Sequence, residues 1–262
     1  MQADRPSAPE QVASPHERRP LGTATSHRLG LDVSKLECNT CFKQLYYMLL
    51  DTYGETGAKI LTAAESLFAE YGYDGISLRR ITAAAGVNLA AVNYHYSDKQ
   101  SLYVEIVTCR LRQLSEARLH RLAEAEARAG GAVVSLEEIV DILAQPLLQP
   151  AKSMTLFGAA SRRLLGRTLV EPLPFLTATL AAEFQPAVAR CGQAVRRHLP
   201  GLPPADFVWR YSFVVGALHH AAATMHDMKT RTSGLCANDD TAAALRNFRV
   251  FAVAALAANN FR

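Results

Sequence analysis

Between residues 77 and 99 the chain reads SLRRITAAAGVNLAAVNYHYSDK, and no other stretch restricts its fold so much. Ser77 carries a hydroxyl able to accept from an otherwise unpaired N–H in the first turn of a helix. Leu78, Ile81, Ala84 and Ala85 then fall on one face, with Arg79 and Arg80 turned away. Gly86 ends that helix, because glycine takes the left-handed conformation a C-terminal turn requires. Asn88 is placed to cap a second short helix through Leu89, Ala90, Ala91, Asn93, Tyr94 and His95. The alanines let its backbone come close to base edges, and Asn93, Tyr94 and His95 supply hydrogen-bonding tips. Two short helices across a glycine turn are the unit whose second member lies in the major groove of DNA.

That segment sits in a larger pattern with specific landmarks. Ile60, Leu61, Ala63, Ala64, Phe68, Ala69, Gly72 and Tyr73 precede it, and Ser77, Ala85, Gly86, Val87, His95, Tyr96, Lys99 and Leu102 follow in order. From about Thr56 to Leu102 the chain resembles the three-helix DNA-binding domain of the TetR family of bacterial regulators. Where the family carries a phosphate-contacting Tyr two residues before the His, this chain has Asn93. The run from Val87 to His95 is similar to the subgroup that includes the fatty-acid-responsive regulator PsrA. The resemblance implies that Arg79 and the helix starting near Asn88 read bases, with Tyr94, His95 and Lys99 on phosphates. It also implies a near-palindromic DNA operator, a homodimer and a small-molecule effector.

Composition agrees on fold class. Nearly half of the 262 residues are hydrophobic, alanine is abundant and period-two alternation is almost absent, which predicts an all-α protein. The expected plan is an atypical, disordered extension over 1–54 with a short helix at 41–50. A helix-turn-helix domain over 55–102 follows, then a larger helical effector-binding and dimerisation domain over 103–262. The extension is either a functional arm or the product of a start placed upstream of the true one, at Met48. Gross charge does not by itself point to DNA. Residues 55–103 hold four cations against five acids, a net of −1, so any DNA-facing positive charge must be concentrated on one side.

The five cysteines form no disulfide framework, and the Cys38–Cys41 pair lacks further ligands that would complete a zinc site. No metal or other cofactor is expected. Residues 1–28 have no apolar core of a secretory leader, and no apolar run approaches the ~20 residues needed to cross a bilayer. A cytoplasmic protein with no membrane partner is the expectation.

Beyond Lys99 the periodicity predicts helices from about 98 to 129, 136 to 148, 151 to 167, 176 to 199, 205 to 229 and 239 to 259. The last two are apolar on several sides, with Phe207, Trp209, Phe213 and Leu218 in one and Phe248, Phe251 and Leu256 in the other. Such helices need cover on several sides, which fits a twofold dimer contact through residues such as Phe251 and Leu256. Met154, Phe157, Trp209, Phe213 and Met225 offer lining for an apolar effector cavity, and Arg162 and Arg163 a counter-charge for an anionic headgroup. The neighbouring His219 and His220 point apart on a helix and read as structural.

Two classes of function fit. One is a ligand-responsive transcriptional repressor released by a fatty acid or acyl-CoA, or, as a regulator of efflux or aromatic catabolism, by an aromatic effector. The other is an enzyme carrying a helix-turn-helix module. The second needs a nucleophile with its base, a carboxylate pair or a phosphate-cradling loop, and the C-terminal half offers none of these. The chain reads as a regulator and not an enzyme.

Overall fold

The computed structural model describes residues 40–149, 158–170 and 173–258, and the side chains of 40–52 lie outside that description. The extension at 1–39, Cys38 and Cys41, and the cavity candidates Met154 and Phe157 therefore fall outside the described residues. Within them every regular element is a helix.

The chain runs α1 (Thr40–Tyr71), α2 (Leu78–Ala85), α3 (Leu89–His95), α4 (Lys99–Ala129), α5 (Leu136–Leu148) and α6 (Ala159–Val170). It continues through a single turn α7 (Thr177–Thr179), then α8 (Gln185–Arg196), α9 (Pro204–Thr224), the short α10 (Met228–Arg231) and α11 (Thr241–Ala257). The helix expected at 41–50 is the first part of α1, which breaks at Gly54, where φ is 68° and ψ 174°.

Local chemistry sets these boundaries. Ser77, Asn88, Asp98, Ser135 and Asp240 each precede a helix, and each side-chain oxygen accepts from the N–H three residues on. At Gly86 the backbone is left-handed (φ 66°, ψ 32°), and its N–H donates to the Ala83 carbonyl at 3.3 Å. Gly130 closes α4 in the same conformation, at φ 56°.

Helices α2 and α3 pack on α1, and their inner residues Ile81 and Val92 join Ile60, Ala64, Phe68 and Leu102 in a fully buried core. Thr82, and not Ala84, completes the inner face of α2; Ala84 is exposed. The core runs on without interruption along α4, from Ile106 through Leu111, Leu114 and Leu122, into a body of α5, α6, α8, α9 and α11. The sequence division at 102/103 thus falls inside one continuous helix.

Helix α6 lies against both α1 and α9. Its approach to α9 depends on Gly166, where an added Cβ would stand 2.4 Å from the Ala223 nitrogen. Two predicted helices are not continuous: 205–229 is interrupted by a 3-10 turn at Met225–Asp227 between α9 and α10, and 176–199 is broken nearer its start. The span 176–199 contains a π turn at Leu180–Phe184 before α8 begins. Pro186 has no N–H to give to an α-helical carbonyl, and the preceding Gln185 N–H reaches back five residues to Leu180.

Candidate nucleic-acid interface

Helix α3 stands on one anchor, Val92, which is fully buried, and turns Leu89, Ala90, Asn93 and Tyr94 outward. Tyr94 is 86 % exposed, against 39 % for Leu89. Ala91 and His95 are half-buried, and His95 packs beside α1 at Gly57, where a Cβ would lie 3.6 Å from its Nδ1. The N-cap Asn88 accepts from the Ala91 N–H at 2.8 Å. Next to this face, α2 presents exposed Arg79 and Arg80, the latter stacked 4.0 Å from the Tyr71 ring.

The distribution of charge resolves the apparent deficit of cations. From Ser77 to Ser97 there is no acidic residue, so the α2–α3 surface carries only Arg79, Arg80 and His95 as chargeable groups. Three of the head's five acids are engaged elsewhere: Glu55 pairs with Lys59 at 2.7 Å, Asp98 caps α4, and Glu65 is drawn inward, while Glu70 and Asp74 lie outside the 77–97 segment. Glu65 is buried and accepts from Arg110 Nε at 2.7 Å and Nη2 at 2.5 Å. Ser161 Oγ donates to the same carboxylate at 2.7 Å. This network joins α1, α4 and α6.

Lys99 stands differently from its sequence-based assignment. Its ammonium donates to the carbonyls of Tyr73 at 3.0 Å and Ile76 at 3.1 Å, and sits 4.1 Å from the Tyr73 ring. The side chain ties the α1–α2 loop to the start of α4, so a phosphate contact would require it to leave two acceptors.

Two family models match this chain. One, described as bacterial regulatory proteins of the tetR family, covers residues 60–106; the other, a tetracyclin repressor-like C-terminal domain, covers 141–255. Together they take in more than half of the sequence. The chain belongs to the TetR family. The HTH-type transcriptional repressor AcnR of Corynebacterium diphtheriae is 33 % identical over 88 residues, 34 % of this chain and 40 % of that protein. IcaR, the negative transcriptional regulator of the biofilm operon icaADBC in Staphylococcus aureus, is 39 % identical over 51 residues, 20 % of this chain and 27 % of that one. This TetR chain thus spans well under half the length of those relatives. A crystal structure of an HlyIIR mutant with an alanine-substituted segment aligns at TM-score 0.48 and 15 % identity, covering 76 % of this chain and 95 % of that one.

In the C-terminal TetR domain the residues proposed to line a cavity divide. Met225 is buried. Trp209 and Phe213 do not line an interior cavity: they are 65 % and 62 % exposed and lie against each other with ring centroids 5.7 Å apart. Val250 and Phe251 on the neighbouring α11 are exposed as well, so the apolar character of these four residues is not spent on this chain's own core. Leu256, also expected in a subunit contact, is fully buried in this chain's own core.

The two arginines are occupied by structural contacts. Arg162 is buried and pairs with Asp239 at 2.6 Å. Arg163 and Arg167 donate to the Glu70 carbonyl at 3.3 and 3.4 Å, satisfying the C-terminal end of α1. The polar groups that sequence reasoning passed over are Arg118 and His219, both buried in the body. His219, read as structurally satisfied, has an Nε2 without a hydrogen-bond partner among the described residues. A cleft at the junction of head and body is lined by Phe68, Gly72, Tyr73, Tyr103, Leu164 and Arg167. Among the described residues, no helix is long and apolar enough to cross a membrane, and no group of His, Cys, Asp or Glu is placed to hold a metal.

Proposed function

We propose that this chain is a transcriptional repressor that binds a near-palindromic operator as a twofold dimer and is released by a small, largely apolar anion. The observation that carries the DNA reading is the acid-free, outward surface of α2 and α3, held on the rigid anchors Ile81 and Val92. Arg79, Asn88, Leu89, Ala90, Ala91 and Asn93 are the residues in reach of base edges, and Tyr94 and His95 contact the backbone. Lys99 serves this surface by positioning the α1–α2 loop, and reaches phosphate only on release from its two carbonyls. The names of AcnR and IcaR, both negative regulators, support repression.

A dimer is favoured by the exposed apolar surface of Trp209, Phe213, Val250 and Phe251, which a second copy of the same face would cover. The effector acts only through unequal affinity for the DNA-bound and free conformations. A long-chain fatty acid or its acyl-CoA is the leading candidate, on the subgroup resemblance and the apolar body.

The test is a mobility-shift assay on the DNA upstream of the protein's own gene. Arg79→Ala should weaken binding by about 1–3 kcal/mol and relax base preference, as loss of a bidentate base contact does. Tyr94→Phe should weaken binding to all sequences alike. Unchanged affinity in both folded variants refutes the assignment of this face.

A further inference from the structure

Arg118, on the inner side of α4, is fully buried. Its guanidinium has five N–H donors. Nε gives one to the Leu143 carbonyl at 3.0 Å, and Nη1 is buried with no partner among the described residues. Three other arginines of the body each have a carboxylate partner, Arg110 with Glu65 at 2.5 Å, Arg162 with Asp239 at 2.6 Å and Arg190 with Glu126 at 2.6 Å, although Arg162 Nε and Arg190 Nη1 are also buried without a partner among the described residues. Among the described residues, Arg118 has no carboxylate partner. The ionisable groups near it are the neutral Cys191 thiol, the Tyr211 phenol and the His219 imidazole. Tyr211 already donates to the Val188 carbonyl at 2.8 Å. Glu183, on the adjoining π turn, is taken by Arg112 at 2.7 Å.

His219 comes from α9 to the same place. Its ring centroid is 5.3 Å from that of Phe184, and the Arg118 guanidinium carbon is 5.7 Å from the same ring. His219 Nε2 is buried and unpartnered, like Arg118 Nη1. Two orphan nitrogens therefore share one aromatic neighbour, and that neighbour stands on the π turn, a local register that recurs at functional sites. A buried cation with no counter-ion and a buried imidazole nitrogen with no acceptor each lack an explanation within the fold.

We propose that Arg118 and His219 receive the carboxylate of a largely apolar organic acid, seated between α4, α9 and the π turn at Leu180–Phe184. The proposal rests on the reading of this domain as an effector-binding one and names the group that recognises the effector's charge. Arg118 supplies charge-assisted N–H donors and neutral His219 one more through Nε2. Phe184, itself buried, packs beside both side chains, so an entering carboxylate has to shift its ring.

Octanoate and 4-phenylbutyrate, with octanamide and 4-phenylbutyramide as uncharged counterparts, are titrated into the full chain by calorimetry, with thermal unfolding alongside. At least one acid should bind the wild type roughly tenfold to a hundredfold more tightly than its amide, the factor for hydrogen bonds to a charged group. Arg118→Met keeps the stem and loses the charge; it should abolish that preference without lowering the melting temperature. His219→Phe should reduce the preference, and is scored alone if Arg118→Met does not fold. An acid-over-amide preference that is undiminished in the scored variant, or a wild type that binds none of the four compounds, overturns the proposal. A parallel mobility shift separates the readings: operator binding with no carboxylate effect leaves the DNA assignment standing and removes only the anion site.

Discussion

At the scale of single residues, burial decides which charges matter. Glu65 and Arg110 are both nearly inaccessible, so removing either leaves the other charged and unpaired. Glu65→Ala should destabilise the chain by about 3–5 kcal/mol, and Arg110→Met added to it should recover much of that loss. Urea unfolding of the single and double variants measures this; additive losses would refute the pairing. His219 gives a pH signature. Burial, aided by the nearby Arg118 charge, pushes its pKa down to about 3 from the ordinary 6.5. The unfolded chain therefore takes up the proton first as pH falls. This contribution to stability is whole above about pH 6.5 and erodes between 6.5 and 3, by about 1 kcal/mol per pH unit. His219→Phe should flatten the pH dependence of unfolding in that window, and identical slopes would contradict the assignment. Part of this was open to view in the sequence. Val107, Leu111, Leu114 and Leu122 mark the inner stripe of α4, and Arg110 and Arg118 interrupt it, an anomaly legible from spacing alone. What settles each interruption was not legible, because Glu65 lies 45 residues from Arg110 and Arg118 forms no ion pair among the described residues. The partner of Arg162 was out of reach for the same reason: Asp239 is 77 residues away.

Among the elements, boundaries were readable wherever local chemistry fixes them. The caps at Ser77 and Asn88, the left-handed glycines at 86 and 130 and the extent of α5 all follow from short-range rules. The π turn escaped notice because Leu176, Leu180 and Phe184 keep helical spacing while Pro186 disturbs the backbone hydrogen bonds, not the side-chain pattern. The face of α9 was misassigned because an apolar residue looks the same whether it lines a cavity or awaits a partner. Close packing of α6 on α9 gives a prediction of its own. Gly166→Ala places a methyl within 2.4–2.9 Å of the Ala222–Ala223 backbone, which cannot move aside as a flexible side chain would. The variant should lose about 1–3 kcal/mol. Gly216→Ala in α9, where an added Cβ meets nothing within 4 Å, should leave stability unchanged or slightly higher. Equal melting temperatures for the two variants would show that the helices do not approach as described.

For the whole molecule, the proposed dimer rests on the exposed aromatic side chains of α9 and α11. Phe213→Asp combined with Phe251→Asp should yield a folded monomer with weak operator binding, whereas Leu256→Asp should unfold the chain, because that side chain is internal. Sedimentation and circular dichroism separate the two outcomes, and a monomeric wild type at micromolar concentration would refute the dimer. Helix α4 has one further consequence. It spans 31 residues, about 46 Å at 1.5 Å per residue, with its first turns in the head and its last in the body. It is a stiff lever: tilting it by ~5° at the body end sweeps the head through ~4 Å, more than the ~3.4 Å rise of one base pair implied by a ~34 Å repeat of ten. In the proposed dimer, a tilt of this size would put two heads out of step with the groove without breaking a hydrogen bond inside either head.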